Sequence, residues 1–173
     1  MSVLVDPSVV YRDEFLAALR EFAREGSRYY DPQRIANDFP RFVQALLQQR
    51  DRAYVGSGLV PFSDYWLIDG SEYIGRLSVR HELNDYLYRL GGHIGYEIRP
   101  SRRRRGYGYE ILHLGLKKAQ LLGLKRVLVT CDETNVGSKK IIEQNGGIFE
   151  NSAASEGSSI RKLRYWIDLA EMV

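Results

Sequence analysis

Gly92-His93-Ile94-Gly95-Tyr96-Glu97-Ile98-Arg99-Pro100-Ser101-Arg102-Arg103-Arg104-Arg105-Gly106-Tyr107-Gly108-Tyr109-Glu110-Ile111-Leu112 reads as a strand, a short basic turn and the first turns of a helix. Tyr96 and Ile98 are β-formers, and Pro100 has no N–H to give a ladder, so the strand should stop there. Gly106 and Gly108 permit unusual dihedrals and a close approach of the backbone to another object. Beyond Gly108, the residues Ile111, Leu112, Gly115, Ala119 and Leu122 recur at helical spacing. A glycine turn that opens a helix aims several unpaired N–H groups and the positive end of the helix dipole at one point, which makes an anion site. The four arginines 102–105 beside it point to a phosphate-bearing ligand. The plainer reading of these residues is a solvated basic turn capped by glycine.

Two familiar phosphate loops do not fit. A dinucleotide fold needs G-x-G-x-x-G directly after the strand, and a nucleotide-triphosphate loop needs G-x-x-x-x-G-K-[ST]. The pattern present is R-x-x-G-x-G, as Arg103-Arg104-Arg105-Gly106-Tyr107-Gly108. In its place between strand and amphipathic helix, it resembles the acyl-CoA pyrophosphate loop of the GNAT family of N-acetyltransferases. A second stretch, Thr130-Cys131-Asp132-Glu133-Thr134-Asn135-Val136-Gly137-Ser138-Lys139-Lys140-Ile141-Ile142-Glu143-Gln144-Asn145-Gly146-Gly147, is similar to that family's second signature. In that signature a strand end is followed by Asn, a small residue three positions on, and a helix closed by a glycine turn.

Composition bounds the rest. At 173 residues the chain suits one domain, taken as 1–173, with a sizeable core. It is 44% hydrophobic and 27% charged, ordinary for a globular protein. The sequence shows no apolar run of the roughly 20 residues that cross a bilayer and no signal-peptide pattern, so no membrane partner is expected. A single cysteine, Cys131, excludes an internal disulfide and suits a reducing compartment, so the expected location is cytoplasmic. No Cys/His cluster has metal-ligand spacing, and no metal is expected. The net charge is +3, but removing arginines 102–105 from the 25 Lys and Arg leaves 21 against 22 Asp and Glu. The excess is local to the turn. A nucleic-acid binder spreads basic residues over a face, so the pattern argues for one compact polyphosphate and against RNA or DNA.

Taken in order, residues 8–25 form an amphipathic helix with Tyr11, Phe15, Ala18, Leu19 and Phe22 on one face. Tyr29-Tyr30-Asp31-Pro32 is a turn, and a second helix lies around 35–50, with Pro40 near its start. Tyr65–Ile68 and Tyr73–Arg80 are strands joined at Asp69-Gly70, a hairpin signal. His81–Gly91 is a polar excursion. The strand at 92–99 should pair with 73–80, followed by a helix at 107–122, a buried strand at 126–131 and a helix at about 135–145. Strands near 148–150 and at 160–169 close the chain, with a Ser/Ala/Gly-rich loop at 151–159. The order ααβββαβαββ implies an α/β (α+β) architecture, a mixed central sheet with helices on both faces. It agrees with the resemblance, which implies the GNAT acyl-CoA N-acyltransferase fold over most of the chain.

Carried onto this sequence, the resemblance implies that the pantetheine arm of acetyl-CoA lies between the diverging strands 92–98 and 126–131. The backbone of Ile98, beside Arg99, would bond its amides. The pyrophosphate would sit on Arg103, Arg104, Arg105, Gly106, Tyr107, Gly108 and Tyr109. Asn135 and Ser138 would reach the ligand from the next helix, although Asn135 also fits a plain N-cap. A lysine-like amine has a pKa near 10.4, so a base or a water chain must take its proton. Glu97 and His93 are the candidates, placed on one face by strand alternation, each with a structural role as the alternative. Relatives carry a tyrosine in the last helix as acid for the departing thiolate. Ile142 aligns there, so that acid is missing, Ser138 or water would substitute, and Ile142→Tyr should raise turnover modestly if it points at the sulfur.

The expected function is therefore acetyl transfer from acetyl-CoA to a primary amine of a small molecule or peptide, by direct attack in a ternary complex. The alternative is a CoA-binding regulatory or interaction module with little turnover. The sequence leaves the acceptor open, because segments 28–60, 81–91 and 151–160 that would wall its site carry no motif. It also leaves open the oligomeric state, a homodimer included.

Overall fold

The computed structural model describes residues 1–27, 30–155 and 157–170. Seven strands form one mixed sheet in the order β1-β2-β3-β4-β5-β7-β6. They are β1 (Ser2–Val5), β2 (Phe62–Asp69), β3 (Glu72–Arg80), β4 (Ile94–Ile98), β5 (Arg126–Asp132), β6 (Ile148–Ala153) and β7 (Lys162–Asp168). The helices are α1 (Arg12–Arg24), α2 (Pro32–Asn37), α3 (Phe39–Gln48), α4 (Tyr107–Leu121) and α5 (Val136–Gln144). The expected mixed sheet with helices on both faces is what forms.

Alternation along the strands explains the two layers. In β2, Tyr65 and Leu67 join the core under α4 and α5, with Leu77, Ile111, Leu116, Val129 and Ile142. Their neighbours Trp66 and Ile68 join a second core with Phe15, Phe39 and Val43 of α1 and α3. Phe15 stacks on Trp66 with ring centroids 4.6 Å apart, a favourable offset pair inside that core.

Three details differ from the sequence reading. Ser2–Val5 is an edge strand paired antiparallel to β2, with Val5 opposite Trp66; four residues are too few to show a period. The second helix is two, because Asp38 ends α2 and its carboxylate accepts from the Arg41 N–H to start α3. In the region read as a loop after 150, β6 continues to Ala153, with Ser152 opposite Leu163. Tyr29 of the expected turn, Arg28 of the segment expected to wall the acceptor site, and Glu156 of the expected loop lie outside the described residues.

β4 is where the sheet opens. It pairs with β3 along its length, from Gly75–Ile98 to Val79–Ile94. Its parallel register with β5 is held at Ile94–Val129, beside the His93 N–H donating to the Leu128 carbonyl at 2.7 Å. Beyond Ile94 the two strands part, and a slot opens between them.

Candidate active site

The basic turn leaves β4 through a short 3-10 turn at Pro100–Arg102 and enters α4 at Gly106. Gly106 has φ 87° and Arg104 has φ 62°, so both are left-handed. For arginine that conformation costs of order 1 kcal/mol and marks a backbone held for a purpose. No side chain caps α4, so the first N–H groups of a 15-residue helix open onto the surface beside the turn. Gly108 fits where α4 meets α5, since a Cβ there would stand 2.5 Å from Ile141 Cδ1. Asn145 Nδ2 donates to the Tyr109 carbonyl at 3.3 Å and ties the two helices.

Between the turn, α4, α5 and β4 lies an open cleft of about 850 Å³. Of the residues singled out in the sequence, it is lined by Glu97, Ile98, Arg103, Arg104, Gly106, Gly108, Tyr109, Asn135 and Ser138. Lys140 adds a further cation. Asn135 is the N-cap of α5, its Oδ1 accepting from the Ser138 N–H at 3.0 Å, and it faces the cleft as well.

Other candidates are placed elsewhere. The Arg99 side chain turns back to α1, where Nε meets Glu21 at 2.7 Å and a terminal nitrogen meets Glu14 at 2.8 Å. It is buried and braces the end of β4. Arg102 pairs with Glu72 at 2.5 Å, and Arg103, while lining the cleft, also pairs with Glu25 at 2.9 Å. Tyr107 donates to Asp69 at 2.7 Å. Arg105 is exposed beside the cleft and does not line it. Half of the apparent basic patch is thus balanced by the chain's own glutamates.

His93 does not line the cleft. Its ring is buried, and Nδ1 accepts from the Leu128 N–H at 2.9 Å, which requires a neutral ring protonated on the other nitrogen. Burial, then the nearby Arg80 charge, lowers its pKa from 6.5 to about 4. Between those values the unfolded chain binds a proton that the folded chain refuses, so stability is full above pH 6.5 and falls on acidification toward pH 4. A shift of that size corresponds to roughly 3 kcal/mol. Thermal melts from pH 7 to 4 should show this loss, and His93→Gln should flatten part of it. Parallel curves for the two proteins would assign the acid sensitivity to other groups.

A second, smaller cavity of about 230 Å³ is lined by Arg76, Ser78, Arg80, Gly95, Tyr96 and Glu97. It lies on the α1–α3 side of the sheet. Glu97 accepts from Arg76 Nε at 2.6 Å, and Arg76 also donates to the Tyr30 hydroxyl at 3.0 Å. Asp64 accepts from the Ser78 hydroxyl behind it, and burial raises its pKa. Tyr96 and Glu97, consecutive on β4 and therefore on opposite faces, line both cavities. The large cleft and the small pocket thus share these two residues of β4 in their walls.

Sequence reasoning missed Tyr96, Thr134, Val136, Gly137, Lys140, Ile141 and Gln144 of the cleft. Two signals pointed to five of them: Tyr96 shares a strand face with Ile98, and Gly137, Lys140, Ile141 and Gln144 follow helical spacing. Ile142, aligned with a catalytic tyrosine, is fully buried in the core and is not a lining residue. A tyrosine there would meet packed side chains and overpack the core, so the expected gain in turnover is withdrawn.

Among the described residues no group of three or more His, Cys, Asp or Glu could hold a metal ion, and no helix is long and apolar enough to cross a membrane. Among solved structures, the fold is similar to that of RimL, the ribosomal L7/L12 alpha-N-protein acetyltransferase, in complex with coenzyme A (TM-score 0.70, 15% identity, 96% of this chain and 93% of that one). It is similar to the microcin C7 self-immunity acetyltransferase MccE in complex with acetyl-CoA and AMP (TM-score 0.68, 13% identity, 96% and 92%). It also resembles the Salmonella typhimurium acetyl transferase that modifies the N-terminal serine of 50S ribosomal subunit protein L7/L12 (TM-score 0.65, 16% identity, 96% and 94%). No curated protein matches the chain in sequence. At these identities the structural likeness establishes the fold. The family described as Acetyltransferase (GNAT) domain matches residues 11–148, which hold the opened sheet, the glycine turn and both helices of the cleft, and the chain belongs to the GNAT acetyltransferase family.

Proposed function

We propose that this protein transfers the acetyl group of acetyl-CoA to a primary amine of a small molecule or peptide, by direct attack in a ternary complex. One observation carries the reading: two cavities share Tyr96 and Glu97 in their walls, on the stretch of β4 past its last pairing with β5 at Ile94. The large cleft suits a long phosphate-bearing donor, and the small polar pocket suits an amine. The pyrophosphate is read onto the N–H groups of residues 103–109 with Arg103 and Arg104 beside it, and the pantetheine arm along β4 at Ile98. Glu97 takes the proton of the attacking amine. RimL and MccE share the fold and are seen in complex with coenzyme A and with acetyl-CoA and AMP, which supports acetyl-CoA as the donor.

Release of free thiol from acetyl-CoA across a panel of small and peptide amines tests the reading. Turnover on at least one amine is expected. Tight CoA binding with no thiol release on any amine would favour a binding module. The donor site has its own test. Gly106→Val forces a β-branched residue into φ 87°, and Gly108→Val drives a side chain into Ile141. Each should weaken acetyl-CoA binding by calorimetry at least about tenfold, or 1.4 kcal/mol. Unchanged affinity in both folded variants would move the phosphates off the turn.

A further inference from the structure

The transfer reading above, on which this inference rests, leaves one proton unassigned. When the amine nitrogen bonds to the thioester carbonyl carbon, the C–S bond breaks and its electron pair leaves on sulfur. The amine's proton goes to Glu97, but the sulfur still needs a donor. Ile142, buried in the core, supplies none. We propose that Tyr96, held by Ser138, donates the proton that the CoA sulfur takes up as it leaves.

Four observations support this. Tyr96 lines the large cleft, and alternation along β4 turns its side chain to the α5 side, beside the strand along which the donor's arm is read. It is two residues along β4 from Ile98 on the same face, about 7 Å further from the phosphate turn at the rise of an extended strand. Its hydroxyl is fixed by a 2.9 Å hydrogen bond with Ser138 Oγ on the first turn of α5. Ser138 is itself positioned through its N–H on the Asn135 cap. The chain of groups runs from cleft wall to phenol without a mobile segment.

A phenol is the better donor of the pair, since an aliphatic hydroxyl is a far weaker acid. Burial pushes the Tyr96 phenol up to about 12, which keeps it protonated at working pH. The same desolvation acts on a thiolate emerging beside it and raises its proton affinity as well. After departure, Tyr96 regains its proton from solvent through the Ser138 hydroxyl, and Glu97 releases its own. Ser138 is then a positioning residue.

The test compares wild type, Tyr96→Phe and Ser138→Ala on one accepted amine, with acetyl-CoA and with its selenoester analogue as donors. A selenol is more acidic than a thiol and leaves without help. Tyr96→Phe should lower kcat with acetyl-CoA about 100-fold, with KM for acetyl-CoA little changed. It should lower kcat with the selenoester far less, and its solvent isotope effect should shrink. Ser138→Ala should give the same pattern at smaller size, and keeps the assignment testable if Tyr96→Phe does not fold. Equal losses with both donors would show a packing role and overturn the assignment, as would full activity in Tyr96→Phe. An inactive wild type across the amine panel would overturn the transferase reading, and this assignment with it. An active wild type with an unimpaired Tyr96→Phe overturns this assignment alone.

Discussion

Glu97→Gln is expected to lower kcat by about 10²–10⁴, the range for loss of a positioned general base, while acetyl-CoA binds as before. Glu97 lines both cavities, and its carboxylate is oriented by Arg76 at 2.6 Å. Arg76 is itself fixed by the Tyr30 hydroxyl and packs over that ring at 5.0 Å. The base is therefore held by two neighbours on the α1–α3 side, facing the small pocket. Glutamine keeps the shape and one oxygen for Arg76 but cannot take a proton. Steady-state kinetics at saturating acetyl-CoA, paired with calorimetry for the donor, separates the two effects. A variant that keeps full turnover would mean that a water chain carries the proton. A fall in donor affinity equal to the fall in kcat would place Glu97 in the donor site instead.

The parts of this molecule that could be read from the sequence are those that repeat or interrupt a pattern. Helical spacing after Gly108 and the stop at Asn145-Gly146-Gly147 place α4 and α5, because glycine and periodicity act locally. Alternation places Tyr96, Glu97 and Ile98 on known faces. What stayed hidden depends on partners distant in sequence. Arg99 read as a cofactor residue beside Ile98 and Arg102 as part of a phosphate-attracting run, yet Glu21 and Glu72 claim them in the fold, and Arg103 is shared between the cleft and Glu25. No local rule could pair residue 99 with residue 21. His93 shares a strand face with Glu97, as alternation requires, but Leu128 and Trp166 enclose it, and both come from β5 and β7. Ile142 shows the same limit by one position. The helix turns Ile141 to the cleft and Ile142 to the core, and an alignment by motif cannot resolve a rotation of 100° per residue.

Gly75→Ala is expected to destabilise the protein by about 3 kcal/mol, the upper end for overpacking, and to reduce activity further than the stability loss explains. Between Leu67–Gly75 and Ile68–Tyr73 the β2–β3 register slips by one, and Ile74 is the extra residue of a β-bulge. Gly75 follows it directly, opposite Ile98 of β4. A Cβ at Gly75 would press on the Glu97 carbonyl oxygen and stand 3.2 Å from Ile98 Cα. Both are backbone atoms, so no rotamer change relieves the contact, and β3 and β4 must separate. At Gly115, by contrast, the nearest atoms belong to the Leu77 side chain, which has rotamers to try. Because β4 carries Tyr96, Glu97 and Ile98, any separation is transmitted to the slot, and positioning errors of about 1 Å cost of order 100-fold in rate. Denaturant melts give the stability change, and kcat measured well below the melting transition gives the second effect. A variant as stable and as active as wild type would show that β3 and β4 adjust without cost. A stability loss with unchanged kcat would show that β4 shifts as a rigid piece and carries its three residues with it.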